Sequence, residues 1–184
     1  PLFQDVMEVN RYHDVAIIAP ETGMVSYTVA KERQVGTSLV EGPFKDSPMA
    51  RCFLQAEAAG LAGQHDAIFI EDFAPFQPSF NAPAMFVATP IYDEVDQYIG
   101  VLMAQISVDI INEAMVGGDN WEEAGLGATG QAVLVGQDKR LRSNFRFSHQ
   151  EVDCLSKIMD SPAVDQALSG ESGVGNMTSP DGST

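Results

Sequence analysis

Six consecutive residues, Ile99-Gly100-Val101-Leu102-Met103-Ala104, carry no polar side chain. Successive side chains of a strand point to opposite faces, so a half-exposed strand alternates and an unbroken apolar run suits one buried on both sides. That strand, predicted over residues 98–108, needs neighbours on either edge and cover on both faces. Residues 67–73 and 84–91 supply two more strands, and Asp93, Glu94 and Asp96 suit an exposed hairpin turn before the apolar run. A chain of 184 residues holds one ordinary domain or two small ones. At that size about two-thirds of the unfolded surface can be buried, so neither a metal nor a disulfide staple is needed.

The upstream part supplies the rest of the sheet. Leu2, Phe3, Val6 and Met7 share one helical face, predicting a helix over residues 2–10. Residues 15–19 form a short apolar run, Pro20-Glu21-Thr22-Gly23 is turn chemistry, and Val25, Tyr27 and Val29 then alternate with Ser26 and Thr28. That pattern is a β-hairpin. Residues 30–46, with Gly36, Gly42 and Pro43, read as a loop. Ser47-Pro48 caps a helix in which Met49, Cys52, Phe53 and Ala56 fall on one face, and Gly60 and Gly63 end it. Pro75, Phe76, Pro78, Phe80 and Pro83 predict a loop between the strands that follow, and a helix over residues 109–116 stops at Gly117-Gly118. The order is helix, two strands, helix, three strands, helix.

Residues beyond 118 begin the plan again. Residues 131–136 and 141–147 read as strands about a turn at 137–140, and Ser161-Pro162 caps a helix carrying Ala163, Val164, Ala167 and Leu168, closed by Gly170. The repeated order favours a duplication, with one whole domain over 1–118 and a connector and incomplete second copy over 119–184. The second copy lacks its last three strands, so it is expected to be poorly packed, completed by a neighbour or continued by further residues. A start at Pro1, without an initiator Met or signal peptide, suggests a piece of something longer.

The charge narrows the function. With 26 acidic and 10 basic residues the net charge is −16, which repels phosphate backbones and anionic lipid surfaces. Lys139, Arg140, Arg142 and Arg146 form a basic cluster beside Phe145 and Phe147, read as a solvated hairpin face or a contact to an acidic surface of the same protein. No apolar run is long enough to span a bilayer. Gly125-Leu126-Gly127-Ala128-Thr129-Gly130 matches a dinucleotide fingerprint in letters only. That loop needs a strand before it and a helix after it, and here a strand follows. Cys52 reads as a small buried hydrophobe, and with Cys154 it forms neither a metal spacing nor a disulfide framework. His13, His65 and His149 fall in separate elements; Glu71 and Asp72 face opposite sides of a strand; Ser38, Ser47 and Ser79 lack a nucleophile elbow. Catalysis finds no support, and no cofactor or metal is expected.

One constellation remains. Strand parity groups Asp72 with Ile70 and Ile68, and Gln105 with Met103 and Val101. Lys31 follows the second strand, and Phe44, Phe73, Phe76 and Phe80 crowd loops that would lie over the sheet. An apolar cavity with a few convergent polar groups is the usual form of a small-molecule site. The alternative is a loop-covered core whose polar groups satisfy one another.

A family resemblance rests on the order of several segments. Tyr27-Thr28-Val29-Ala30-Lys31-Glu32, Gly36-Thr37-Ser38-Leu39 and Gly42-Pro43-Phe44 are similar to the first half of the membrane-distal repeat of double Cache domains. These are the PAS-like extracytoplasmic sensors of bacterial transmembrane receptors. Asp72-Phe73-Ala74-Pro75-Phe76-Gln77-Pro78-Ser79 and Ala88-Thr89-Pro90-Ile91-Tyr92-Asp93 resemble the family's third and fourth strands, and Ile99-Gly100-Val101-Leu102 its fifth. Gly125 to Gln131 with Arg142-Ser143 resembles the start of the membrane-proximal repeat. The resemblance implies an α+β fold: a five-stranded antiparallel sheet flanked by helices, a long N-terminal helix and a partial second repeat. It implies ligand-controlled signalling in the inner membrane with this domain periplasmic, and a homodimer through the N-terminal helix. The membrane would be met only through segments outside this chain, and the output would be of chemotaxis, histidine kinase or nucleotide cyclase type. The ligand-binding residues expected are Lys31, Phe44, Asp72, Phe76, Met103 and Gln105. Amino-acid-binding members carry an Asp where Gln105 stands, and a neutral amide cannot offset an ammonium charge. A neutral or anionic ligand is therefore expected, with Lys31 the candidate counter-charge.

Overall fold

A computed structural model describes residues 2–116, 123, 125–147 and 153–175. The chain divides into two compact units, Pro1–Ala114 and Met115–Thr184. The expected stop at Gly117-Gly118 and His149 lie outside the described residues.

The first unit holds α1 (Leu2–Asn10), β1 (Asp14–Ile18), β2 (Val25–Thr28), α2 (Pro48–Leu61), β3 (Phe69–Phe76), β4 (Ala82–Tyr92) and β5 (Tyr98–Ser107), and α3 (Val108–Val116) begins in it. The five strands form one sheet in the order β2-β1-β5-β4-β3 with antiparallel neighbours throughout. The apolar run is indeed the central strand. Its two faces differ, however: Val101 and Met103 are buried under α2, while Leu102 and Ala104 on the opposite face are half-buried. Gly100 is obligatory in that strand. It lies at φ 149°, and a Cβ there would come within 2.5 Å of the Ile18 carbonyl oxygen.

α2 forms where its apolar stripe requires it. Ser47 accepts a hydrogen bond from the Ala50 N–H at 3.2 Å, and Pro48 fills the first turn, where a missing donor costs nothing. Met49, Cys52, Phe53 and Ala56 then pack on Ile18, Phe86, Ala88 and Val101 in one core. Removing the cap by Ser47→Ala is expected to lower stability by about 1 kcal/mol, read as a fall in the urea midpoint at unchanged slope. Burial pushes the Cys52 thiol up to about 12, so it packs as a hydrophobe. On the other face of the sheet α1 leans on the hairpin, with the Phe3 and Tyr27 ring centroids 5.8 Å apart.

Two expectations are corrected here. The Pro- and Phe-rich stretch is not an extended loop. β3 continues to Phe76, one 3₁₀ turn spans Gln77–Ser79, and Phe80 and Asn81, both in the left-handed region, reverse the chain into β4. Pro75 is tolerated because β3 is an edge strand. In the second unit, the stretches 131–136 and 141–147 are not strands. They meet in a single bridge, Val135 to Leu141, and Arg140 bridges Ile158. Side chains take donors that a ladder would use: Ser143 Oγ accepts from Leu134 N, and Asp153 Oδ2 accepts from Phe145 N. Such local side-chain bonds compete with sheet formation. The capped helix is present as α4 (Pro162–Leu168), with Ser161 Oγ accepting from Val164 N.

The basic cluster of that unit is used within it. Lys139 pairs with Asp160 and Asp165, Arg142 with Asp138, and Arg140 donates to the Leu155 carbonyl. Arg146 donates to the carbonyls of Gly127 and Gly130, tying its side chain to the glycine-rich loop.

Candidate functional site

The antiparallel register lines up three buried side chains in one row under α2. Asp14 of β1 lies opposite Gln105 of β5, and Gln105 lies opposite Phe86 of β4. The next row holds Ala16, Met103 and Ala88, with Thr28 beside Ala16 on β2. Met49 of α2 and Gln34 of the 30–46 loop close the space above, leaving a cavity of about 10 Å³. That is about the room one water molecule needs.

The polar groups of this apolar floor form two linked sets. Asp14, 2% exposed, accepts from the backbone N–H of Val15 at 2.8 Å and of Ala30 at 2.9 Å through Oδ1. The Thr28 hydroxyl also bonds this carboxylate while accepting from Lys31 N, so the start of the loop is tied to β1. Burial nevertheless raises the Asp14 pKa above its ordinary 3.8, against those hydrogen bonds, and the nearby Glu32 charge adds to the rise. Gln34, 1% exposed, donates Nε2 to Asp14 Oδ2 at 3.4 Å. That contact fixes the amide's orientation, because the reverse would set its oxygen against the carboxylate. Gln34 Oε1 is then buried with no donor among the described residues. An unmet acceptor of this kind costs about 1–3 kcal/mol and is uncommon in folded proteins.

The second set runs outward. Gln105 Nε2 donates to Ser79 Oγ at 3.0 Å, and Ser79 Oγ donates to Glu32 Oε2 at 2.8 Å. Glu32 Oε1 in turn meets His13 Nε2 at 3.4 Å near the surface. The chain of contacts thus links a half-exposed histidine to the buried row.

Of the six residues expected at a site, Met103 and Gln105 line the cavity. Phe44 and Phe76 are buried in the adjoining core, Phe76 edge-on to Phe86 at 4.9 Å. Lys31 and Asp72 are exposed and do not line it. Asp72 shares a face with Ile68 and Ile70, as parity required, and that face is the solvent side of the edge strand. Asp14 and Gln34 are not singled out by the sequence reading, which weighs Ser79 only as a nucleophile without an elbow. Asp14 could have been, since parity from Ile18 through Ala16 carries it onto the buried face. Gln34 sits in a loop whose path no periodicity announces. Among the described residues no group of three His, Cys, Asp or Glu side chains could hold a metal ion, and no helix is long and apolar enough to cross a membrane.

No family model matches the chain, and no curated protein matches it. Solved structures do. The sensor domain of the Vibrio cholerae histidine kinase DctB superposes with a TM-score of 0.52 at 15% identity, over 91% of this chain and 54% of that one. The ligand-binding domain of the Pseudomonas aeruginosa chemoreceptor PctC, in complex with GABA, gives 0.49 at 14% identity over 78% and 54%. That of the Pseudomonas fluorescens chemoreceptor CtaA, in complex with L-serine, gives 0.48 at 13% identity over 78% and 52%. The chain spans about half the length of these structures. The fold is that of the PAS-like Cache sensor domains, an α+β sheet domain flanked by helices.

Proposed function

We propose that this chain is the extracytoplasmic small-molecule sensing domain of a bacterial transmembrane signal-transduction receptor. A methyl-accepting chemotaxis protein is the first choice of output, with a histidine kinase or nucleotide cyclase as alternatives. The carrying observation is the buried row Asp14–Gln105 with the undonated Gln34 oxygen above it, on a fold shared with a kinase sensor domain. Residues 1–118 are the membrane-distal domain and 119–184 the connector and part of a membrane-proximal repeat. The chain acts as a sensor rather than an enzyme, and contact with the membrane comes through segments outside it.

The water-sized cavity is the closed state of the site. Ligand admission displaces the loop that carries Gln34, and Met49 and Met103, unbranched and adaptable, repack around the guest. Lys31 lies away from the lining, whereas a carboxylate and an undonated carbonyl face it, so an anion finds no counter-charge there. Asp14 already accepts from two backbone N–H groups and burial favours its neutral form, so the ligand class supported is neutral and rich in hydrogen-bond donors, consistent with the amide at Gln105. A thermal-shift screen of neutral polyols, amides and nucleobases against organic acids and α-amino acids tests this. One neutral class should raise the melting temperature, by an amount that grows with ligand concentration. Stabilisation by α-amino acids or organic acids alone would refute the ligand class.

A second reading has its own support. Leu2 and Val9 of α1 are 69% and 82% exposed, no residue of that helix is buried, and the cavity is nearly filled. These features suit a homodimer through α1, which sensing also accommodates, or a domain that dimerises without binding any small molecule. A screen in which no compound shifts the melting temperature favours the latter.

A further inference from the structure

The Gln105 amide has a fixed sense, and two residues outside the cavity fix it. Gln105 lines the buried cavity, whereas Ser79 and Glu32 do not. A carboxylate only accepts hydrogen bonds, so the single hydroxyl proton of Ser79 goes to Glu32 Oε2, 2.8 Å away. The Ser79 oxygen then offers only lone pairs to Gln105, which turns Nε2 toward it at 3.0 Å. Reversed, the amide would set its carbonyl oxygen against those lone pairs. With the nitrogen committed to Ser79, the carbonyl oxygen is the end of the amide left for the cavity. Ser79 and Gln105 are each 6% exposed, so water competes little for these bonds.

Both partners are positioned by backbone hydrogen bonds. Ser79 ends the 3₁₀ turn Gln77–Ser79, where Phe80 N donates to the Gln77 carbonyl at 3.1 Å and Asn81 N to that of Phe76 at 2.9 Å. At the start of the 30–46 loop three consecutive residues are tied down. Ala30 N donates to Asp14 Oδ1, Lys31 N donates to the Thr28 hydroxyl, and Glu32 accepts from Ser79.

We propose that Ser79 and Glu32 set the specificity of the sensing site through the Gln105 amide, an assignment that rests on reading the buried row as that site. They are positioning residues. Neither lines the cavity, yet together they keep the Gln105 oxygen toward it and so select a hydrogen-bond donor at that point. Opening of the loop begins at Arg33, beyond the anchored stem, so the selection persists when Gln34 is displaced.

The first arm of the test needs no ligand. In nitrogen-15 spectra of the intact chain, the Gln105 and Gln34 side-chain NH2 pairs are assigned by their loss in Gln105→Leu and Gln34→Leu. Ser79→Ala deletes one oxygen, and the Gln105 pair should then exchange with solvent about three- to tenfold faster. The Gln34 pair and the His13 backbone N–H, which bonds the Gln105 carbonyl at 2.9 Å, should keep their rates. The second arm titrates pyrrole, whose ring carries one N–H donor, and furan, a ring of the same size without it. By calorimetry pyrrole should bind the parent about three- to tenfold more tightly than furan, and the two should bind Ser79→Ala within about twofold of each other. Unchanged Gln105 exchange in Ser79→Ala, equal acceleration at all three groups, or equal affinity of the parent for both rings would overturn the assignment. The expected exchange rates with neither ring bound would instead contradict the buried row as the sensing site, and the specificity role would fall with it.

Discussion

Asp14→Ala is expected to destabilise the first unit by about 2–4 kcal/mol, whereas Asp14→Asn should cost little at neutral pH. The alanine leaves the buried Val15 N–H and the part-buried Ala30 N–H without their acceptor, and strands Gln34 Nε2 as well. Asparagine keeps an oxygen for both backbone donors. Its new amide N–H faces Gln34, which can reverse and offer the oxygen that now has no donor. The two variants also separate in pH. Because the native carboxyl has a raised pKa, the folded state holds the proton more tightly than the unfolded chain. That stabilising contribution is complete below the ordinary value of 3.8 and is lost as pH rises through the native value. The melting temperature of the parent relative to Asp14→Asn should therefore fall as pH increases from acid toward neutral. A difference that stays flat with pH would show that burial of this charge carries no cost.

Phe86→Ala carries the other large effect. Phe86 is 1% exposed, forms the β4 end of the Asp14–Gln105 row and meets the Phe76 ring edge-on. Truncation in a packed core costs about 3–5 kcal/mol, a large share of a stability of about 5–15 kcal/mol. It also converts a water-sized space into one that accepts a ring. Benzene should raise the unfolding midpoint of Phe86→Ala and leave the parent unchanged. A loss of less than about 1 kcal/mol would mean that the core collapses into the gap.

The sheet was readable because local chemistry agrees with the tertiary fold. Ser47-Pro48 starts α2 where a cap and a donor-free first turn are wanted, and the unbroken run at residues 99–104 became the middle strand of five. The site was only half readable. Parity carried Met103 and Gln105 to the buried face, but the same rule says nothing about which face of an edge strand is covered, so Asp72 came out on the solvent side. Gln34 reaches the row through a loop whose course depends on contacts distant in sequence, among them the Gly36 N–H bonded to the Val25 carbonyl and the Leu39 N–H bonded to the Gly23 carbonyl. The second unit shows the limit of apolar patterning. Residues 131–136 and 141–147 have the composition of strands, yet Ser143 and Asp153 supply hydrogen bonds that a short ladder cannot outcompete.

The most direct test of ligand sensing reads the methionine methyl groups. Met49 and Met103 line the buried cavity, while Met85 lies on the opposite face of β4 from Phe86 and Ala84. With methionine methyls labelled by carbon-13 and assigned through single Met→Leu variants, a stabilising compound is titrated and the spectra are followed. The methyl signals of Met49 and Met103 should move together and saturate with the compound, with Met85 unmoved. Stabilisation with the Met49 and Met103 signals fixed would place the ligand elsewhere and contradict the assignment of the Asp14–Gln34–Gln105 cavity as the sensing site.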